Sequence, residues 1–279
     1  MSALLRTSPR LLIPDRKRCR DYGVVWLSGG MRGGAAMHDA APRKRHATFG
    51  ASAAAPTWTK GRQGEPSLAL AAAGSQYAEY AGAVASGYPI SIWCWCRFTD
   101  TTNSFRDPFF LGSTSADHYC GLQIMQSGAG LTIHAPLYNC TRNAAVAVPS
   151  STVAINDGNW HLLVGTSIID RHRLYVDGAL IATDTTSVTF PLLDRTTIGA
   201  LNYGGTRLQF FNGDVAGCGV AAAELTAKQI SNLCRNPFYL YRNPPSQFRI
   251  PWAGNATTVP GAPTPRLGRR PTRFFRSSF

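Results

Sequence analysis

Side chains able to do bond-breaking chemistry are scarce here. The 279 residues hold three glutamates, Glu65, Glu79 and Glu224, and no aspartate stands two residues from any of them. Hydrolysis of a glycosidic bond uses two carboxylates across the scissile bond, about 5–5.5 Å apart for retention and further for inversion. No strand encodes such a pair, so a hydrolase would have to assemble one in space, for example from Asp117 and Asp177. There is no Gly-x-Ser-x-Gly nucleophile elbow. The histidines His38, His46, His118, His134 and His172 are scattered in or near loops without metal-ligand spacing. His161 follows Trp160 on a strand, where packing and hydrogen bonding are its expected work. Seven cysteines form no Cys-x-x-Cys. Buried reduced cysteine behaves as a small hydrophobe, and core packing is the expected role, with disulfides or a metal site as the alternatives.

The elements that would position any site read as strands. In 157–184, Trp160, Leu162, Val164 and Thr166 alternate with His161, Leu163 and Gly165, the period of a two-faced strand. Leu174 and Val176 alternate with Arg173, Tyr175 and Asp177. Asp177-Gly178 then supplies the positive φ angles of a type I′ hairpin turn, and Leu180–Asp184 runs back. In 90–98, Ile90, Ile92, Cys94, Cys96 and Phe98 share one face, while Ser91, Trp93, Trp95 and Arg97 share the other. Both faces are largely apolar, which predicts a central strand covered on both sides, with Trp93 and Trp95 in the core. Further strands are expected at 22–27, 67–70, 76–80, 108–112, 119–125, 131–134, 188–190, 196–201 and 208–220, with 135–156 looser. One short helix, 227–234, is expected with Thr226 as its N-cap. The prediction is an all-β chain.

The net charge is +13, but it is unevenly placed. Residues 1–46 carry +7, residues 235–279 carry +8, and residues 47–234 carry −2. A near-neutral body without a basic, aromatic-interleaved platform makes nucleic acid an unexpected partner. Basic ends suit solvated arms or contacts to acidic neighbours in an assembly. Residues 1–21 read as a basic leader without periodicity and 22–250 as the body, with 237–252 strapped against it. Residues 251–279, with five prolines and five arginines, read as a flexible tail. No secretory signal pattern is visible, and no stretch approaches the roughly 20 apolar residues that span a bilayer. The expectation is a soluble chain of unspecified location.

Several fragments together resemble the laminin-G-like, concanavalin A-like lectin/glucanase jelly-roll family. Asp157-Gly158-Asn159-Trp160-His161 followed by Leu174-Tyr175-Val176-Asp177-Gly178 looks like its central meander. Ile90-Ser91-Ile92-Trp93, Thr197-Ile198-Gly199, Phe211-Asn212-Gly213-Asp214-Val215 and Leu225-Thr226 through Ile230 look like its flanking strands and closing helix. The resemblance implies a two-sheet antiparallel jelly-roll β-sandwich with one short C-terminal helix. Tyr22–Leu27, the Gly-rich turn at 29–34 and Ala55-Pro56-Thr57-Trp58 are similar to phage and prophage members, which implies a virion setting. The Glu-x-Asp-x-Glu strand of the family's glucanases is absent. What the resemblance implies, then, is a non-enzymatic recognition module, with a structural decoration or assembly protein and a glycoside hydrolase as rivals.

In this family a loop rim commonly supplies an aromatic platform and planar hydrogen-bonding groups for a glycan or cell-surface polysaccharide. Three loops offer them here: Asp117, His118 and Tyr119; Tyr138, Asn139 and Arg142; Asn202, Tyr203 and Arg207. The alternative is that these are ordinary solvated loop residues. Calcium is the one cofactor the resemblance raises, with Asp39 in the early loop and Asp214 near the Phe-x-Gly-x strand as candidate ligands.

Overall fold

The computed structural model describes residues 14–28, 34–41, 43–102, 105–127, 133–142, 145–147 and 153–241. Residues 29–33 of the expected Gly-rich turn and all of 251–279 lie outside the described residues, and the expected strap is described only to Tyr241. In chain order the early strands are β1 (Val24–Leu27), β2 (Ala36–Met37), β3 (Ala47–Phe49), β4 (Thr57–Lys60), β5 (Pro66–Leu70) and β6 (Ala78–Tyr80). The middle strands are β7 (Ile90–Arg97), β8 (Arg106–Gly112), β9 (His118–Ser127), β10 (Ile133–Arg142) and β11 (Ala145–Ala147). The meander supplies β12 (His161–Ile168), β13 (Arg171–Val176) and β14 (Ala179–Asp184). The last are β15 (Arg195–Ile198), β16 (Leu201–Tyr203), β17 (Thr206–Leu208) and β18 (Gly213–Ala221).

These strands form two eight-stranded antiparallel sheets. The first runs β14-β13-β12-β7-β18-β5-β4, with β1 also on β18; the second runs β11-β10-β9-β8-β15-β6-β3-β2. Strands β16 and β17 pair with each other, and one isolated bridge, Ser113–Tyr203, links them to the end of β8. The inner faces meet in one core. Ile90, Ile92, Cys94 and Cys96 from β7 and Leu163 from β12 pack with Phe109, Leu111, Cys120, Leu122 and Tyr138 from the second sheet. Trp26 of β1 stacks on Phe109 of β8 with ring centroids 5.5 Å apart. An aromatic contact of this kind is worth about 1 kcal/mol beyond the area it buries. All seven cysteines are free thiols, six of them buried.

The outer face of the first sheet is closed by a second apolar layer. Trp93, Trp95, Leu162, Val164 and Tyr175 lie there under Cys19, Tyr22, Ile230, Leu233, Leu240 and Tyr241. Cys19 belongs to a helix, α1 (Arg16–Asp21), inside the stretch expected to lack periodicity. Asp15 caps it, accepting from the backbone N–H groups of Lys17 and Arg18 at 3.0 and 3.1 Å. The C-terminal helix, α2 (Ala227–Arg235), starts at Thr226 with a reciprocal Thr226–Gln229 capping box. The meander turns where expected, at Asp177 and Gly178 with φ of 50° and 87°.

Two readings of the sequence are corrected. Residues 188–190 are irregular rather than a strand, although Val188 is buried. The region after 134 is not loose: β10 pairs with β9 in unbroken register from Ile133 to Arg142. Pro136 lacks a ladder donor, but among the described residues that part of β10 has a neighbour on one side only. Tyr138 is therefore on a strand and not on a rim.

Candidate functional site

Alternation along β9 and β10 decides which side chains leave the core. Cys120, Leu122 and Ile124 point inward, so Tyr119, Gln123 and Met125 point outward from the second sheet. On β10, Tyr138 and Cys140 are inside, and Leu137 and Asn139 are outside. The β16–β17 hairpin folds over this outer face. Between the two lies a groove of about 410 Å³, lined in part by Phe105, Tyr119, Gln123, Asn139, Tyr203 and Gln209.

Glu79 of β6 ties the hairpin to the sheet. Its carboxylate accepts from Arg207 Nη2 at 2.7 Å, Arg207 Nε at 3.2 Å, Asn202 Nδ2 at 3.0 Å and Thr197 Oγ1 at 3.2 Å. The Arg207 guanidinium also lies over the Tyr77 ring, 4.4 Å from its centroid. Asn202 and Arg207 are thus the fastening of the groove wall rather than part of its surface.

Tyr119 and Tyr203 line the open side, with the buried Phe110 ring behind Tyr119. Phe110, Tyr119 and Tyr203 follow one another with centroid separations of 5.9 and 6.1 Å. Tyr119 can lean on Phe110 because Phe110 lies over Gly121, where a methyl group would overlap its ring. Asp117 stands at the hairpin tip beside Gly204, and its influence heads the causes that push the Tyr203 phenol above its ordinary pKa. Asn139, 5% exposed, donates from Nδ2 to the Tyr119 hydroxyl at 3.3 Å. Its Oδ1 is buried without a hydrogen-bond partner. An orphaned buried carbonyl costs about 1–3 kcal/mol, so an occupant able to donate there would recover that cost.

The amides behind the groove are held by an acid. Asp107 on β8 is fully buried, and burial pushes its carboxyl well above the usual range. The Gln209 amide stands between Gln123 and the acid, 2.5 Å from Gln123 Nε2, and with its nitrogen turned toward the acid it donates to Asp107 Oδ2 at 2.6 Å. Gln209 sits in left-handed backbone, φ 55°, and its carbonyl accepts from the Asp107 N–H at 3.0 Å.

Of the residues expected to bind, the groove brings together Tyr119, Asn139 and Tyr203, with Asp117 beside them. His118 is 4% exposed, and its Nδ1 accepts from the Leu192 N–H at 3.0 Å. Tyr138 is removed from any ligand surface. Its ring fills the space over Gly165 of the opposite sheet, and its hydroxyl meets Ser167 Oγ at 2.7 Å. The Arg142 side chain lies outside the described residues. Gln123 and Gln209, which sequence reasoning missed, carry no motif; only the outward register of β9 would have exposed Gln123.

The calcium candidates are otherwise engaged. Asp39 accepts from the backbone N–H groups of Leu27, Ala41 and Arg45 at 3.1, 2.8 and 2.9 Å, and Asp214 takes Arg97 Nε at 3.0 Å. These donors occupy lone pairs an ion would need, and neither carboxylate fits a calcium site as it stands. Among the described residues no group of three or more His, Cys, Asp or Glu converges. The glutamates are engaged too. Glu65 accepts from the Arg62 and Gln63 N–H groups at 3.0 and 2.7 Å, and Glu224 from Arg171 Nη2 at 2.7 Å. Asp117 and Asp177 belong to turns of different sheets, Asp177 holding His161 Nδ1 at 2.7 Å. Among the described residues no helix is long and apolar enough to cross a membrane.

A second hollow, about 450 Å³, is bounded by Val24, Val25, Val84, Ala85, Tyr88 and Arg43 near β1. Its side chains are mostly aliphatic, and it lacks the paired rings and amides of the groove.

Comparison with known proteins places this geometry. Domain 4 of AbnA, a GH43 extracellular arabinanase from Geobacillus stearothermophilus solved with arabinotriose, matches with a TM-score of 0.52 at 16% identity, over 64% of this chain and 81% of that one. A Trypanosoma rangeli sialidase matches with a TM-score of 0.54 at 14% identity, over 76% of this chain and 32% of that one. This chain thus spans about a third of the sialidase. At such identities the likeness is one of fold. Curated proteins give no match. The family model of the concanavalin A-like lectin/glucanases matches residues 72–231, more than half of the 279 residues. Sheet order, meander and closing helix agree with that match, and the chain belongs to the concanavalin A-like lectin/glucanase superfamily.

Proposed function

We propose that the chain is a glycan-recognition module that holds a saccharide in the groove over the second sheet. The observation that carries this reading is Asn139 Oδ1, a buried acceptor without a partner, set beside the Tyr119 and Tyr203 rings. Sugar rings present apolar C–H faces and hydroxyl edges, which suit an aromatic wall and a planar amide. A concave apolar site with a few convergent polar groups is the usual form of a binding pocket. The fold shared with an arabinanase domain solved with arabinotriose supports the reading. The role is recognition rather than hydrolysis, since each glutamate is engaged by protein donors.

A glycan array probed with the wild-type chain and with Tyr203→Ala tests this. The expected result is a defined set of bound glycans, lost in the variant with the melting temperature kept. Silence across the array, or binding indifferent to Tyr203, would sink it.

A further inference from the structure

Among the described residues none that lines the groove carries a charge. The Asn139 amide gives one of its two N–H groups to the Tyr119 hydroxyl and keeps its acceptor unpaired. Asp117 stands beside the hairpin tip at Gly204. The cation on the covering hairpin, Arg207, is committed to Glu79 and to the Tyr77 face. The acids nearby are Asp117 at the rim and Asp107 behind the amides.

We infer that the groove selects neutral saccharides, whose ring hydroxyls can donate to its unpaired acceptor, and turns away sialylated, uronic and sulfated chains. This inference rests on the glycan reading and narrows it. A hydroxyl both donates and accepts, so it can satisfy Asn139 Oδ1. An ionised carboxylate or sulfate offers acceptors alone. Set against Asn139 it would leave the orphan oxygen unpaired and add an acceptor facing an acceptor. Beside Asp117 it would also meet like charge with no lining cation to offset it.

The test is an array of matched glycans, each neutral chain present with and without a terminal sialic acid, uronic acid or sulfate. The expected result is binding to neutral members, with acid-capped partners weaker by about tenfold or more. Neutral binding should be insensitive to added salt, because no charge pair forms. Asn139→Ala should weaken the neutral ligands by about tenfold with the melting temperature kept or raised, since the variant removes an unpaired carbonyl. Asp117→Asn removes the rim charge and should narrow the gap between neutral and acidic members.

Acid-capped glycans bound as well as or better than neutral ones, with that binding lost in Tyr203→Ala, would overturn the neutral class and leave the site standing. Neutral binding that survives both Tyr203→Ala and Asn139→Ala, or no binding at all, would remove the glycan reading and this inference with it.

Discussion

Arg207 closes on Glu79 with two nitrogens, at 2.7 and 3.2 Å, and thereby fixes a two-stranded hairpin to a sheet with which it shares no ladder. The Glu79 side chain is 9% exposed and that of Arg207 35%. Truncating the acid leaves a half-buried guanidinium, an Asn202 amide and a Thr197 hydroxyl without their acceptor. Glu79→Ala should therefore cost about 2 kcal/mol. Chemical denaturation reads the stability, and amide exchange over 201–208 reads the hairpin. Unchanged exchange there would show that the pair is decorative.

His161 makes a second prediction. Its Nδ1 meets Asp177 at 2.7 Å and its Nε2 meets Asp157 at 3.0 Å. The hydrogen bond to Asp177 leads the causes that lift its pKa to about 9, against desolvation. A raised folded-state pKa gives stability that is full below the unfolded value near 6.5 and is lost as pH rises through about 9. Both carboxylates are 42–50% exposed, so screening reduces the effect to about 1–2 kcal/mol. The melting temperature of the wild type should exceed that of His161→Gln at pH 6, and the gap should close by about pH 9.5. A gap that is constant with pH would refute the charged assignment.

Asp107 makes the opposite case. Burial raises the carboxyl's pKa in the fold, so stability falls as pH climbs above the ordinary 3.8, where the unfolded chain ionises more readily than the folded one. Asp107→Asn keeps the shape, can pair with the Gln209 amide through its oxygen, and has no charge to desolvate. The variant should be more stable than the wild type at pH 7 and match it near pH 3. If the variant is less stable at pH 7, Asp107 is ionised in the fold.

The parts of this fold that were legible in the sequence are those where local chemistry and packing agree. The meander shows because Trp160, Leu162 and Val164 alternate cleanly and Asp177-Gly178 accepts the turn angles. The closing helix shows through Thr226 and Gln229. Helix α1 does not show, because six residues rich in arginine have no apolar stripe and are held by one cap and by Cys19. Strand β10 was obscured by Pro136 and by polar residues that face a groove rather than water. Tyr138 looked like a loop aromatic because nothing local reveals that Gly165, 27 positions on, leaves a space for its ring. Glu79 looked isolated for the same reason: its partners stand more than a hundred positions away.

Pro14 bridges Tyr241, and the Asp15 N–H donates to the Leu240 carbonyl at 2.9 Å, so the polypeptide enters and leaves the body at adjacent points over the first sheet. The groove opens on the far side of the second. Force applied at Pro14 would therefore reach β1, which has β18 as its one ladder partner among the described residues, before it reached the groove.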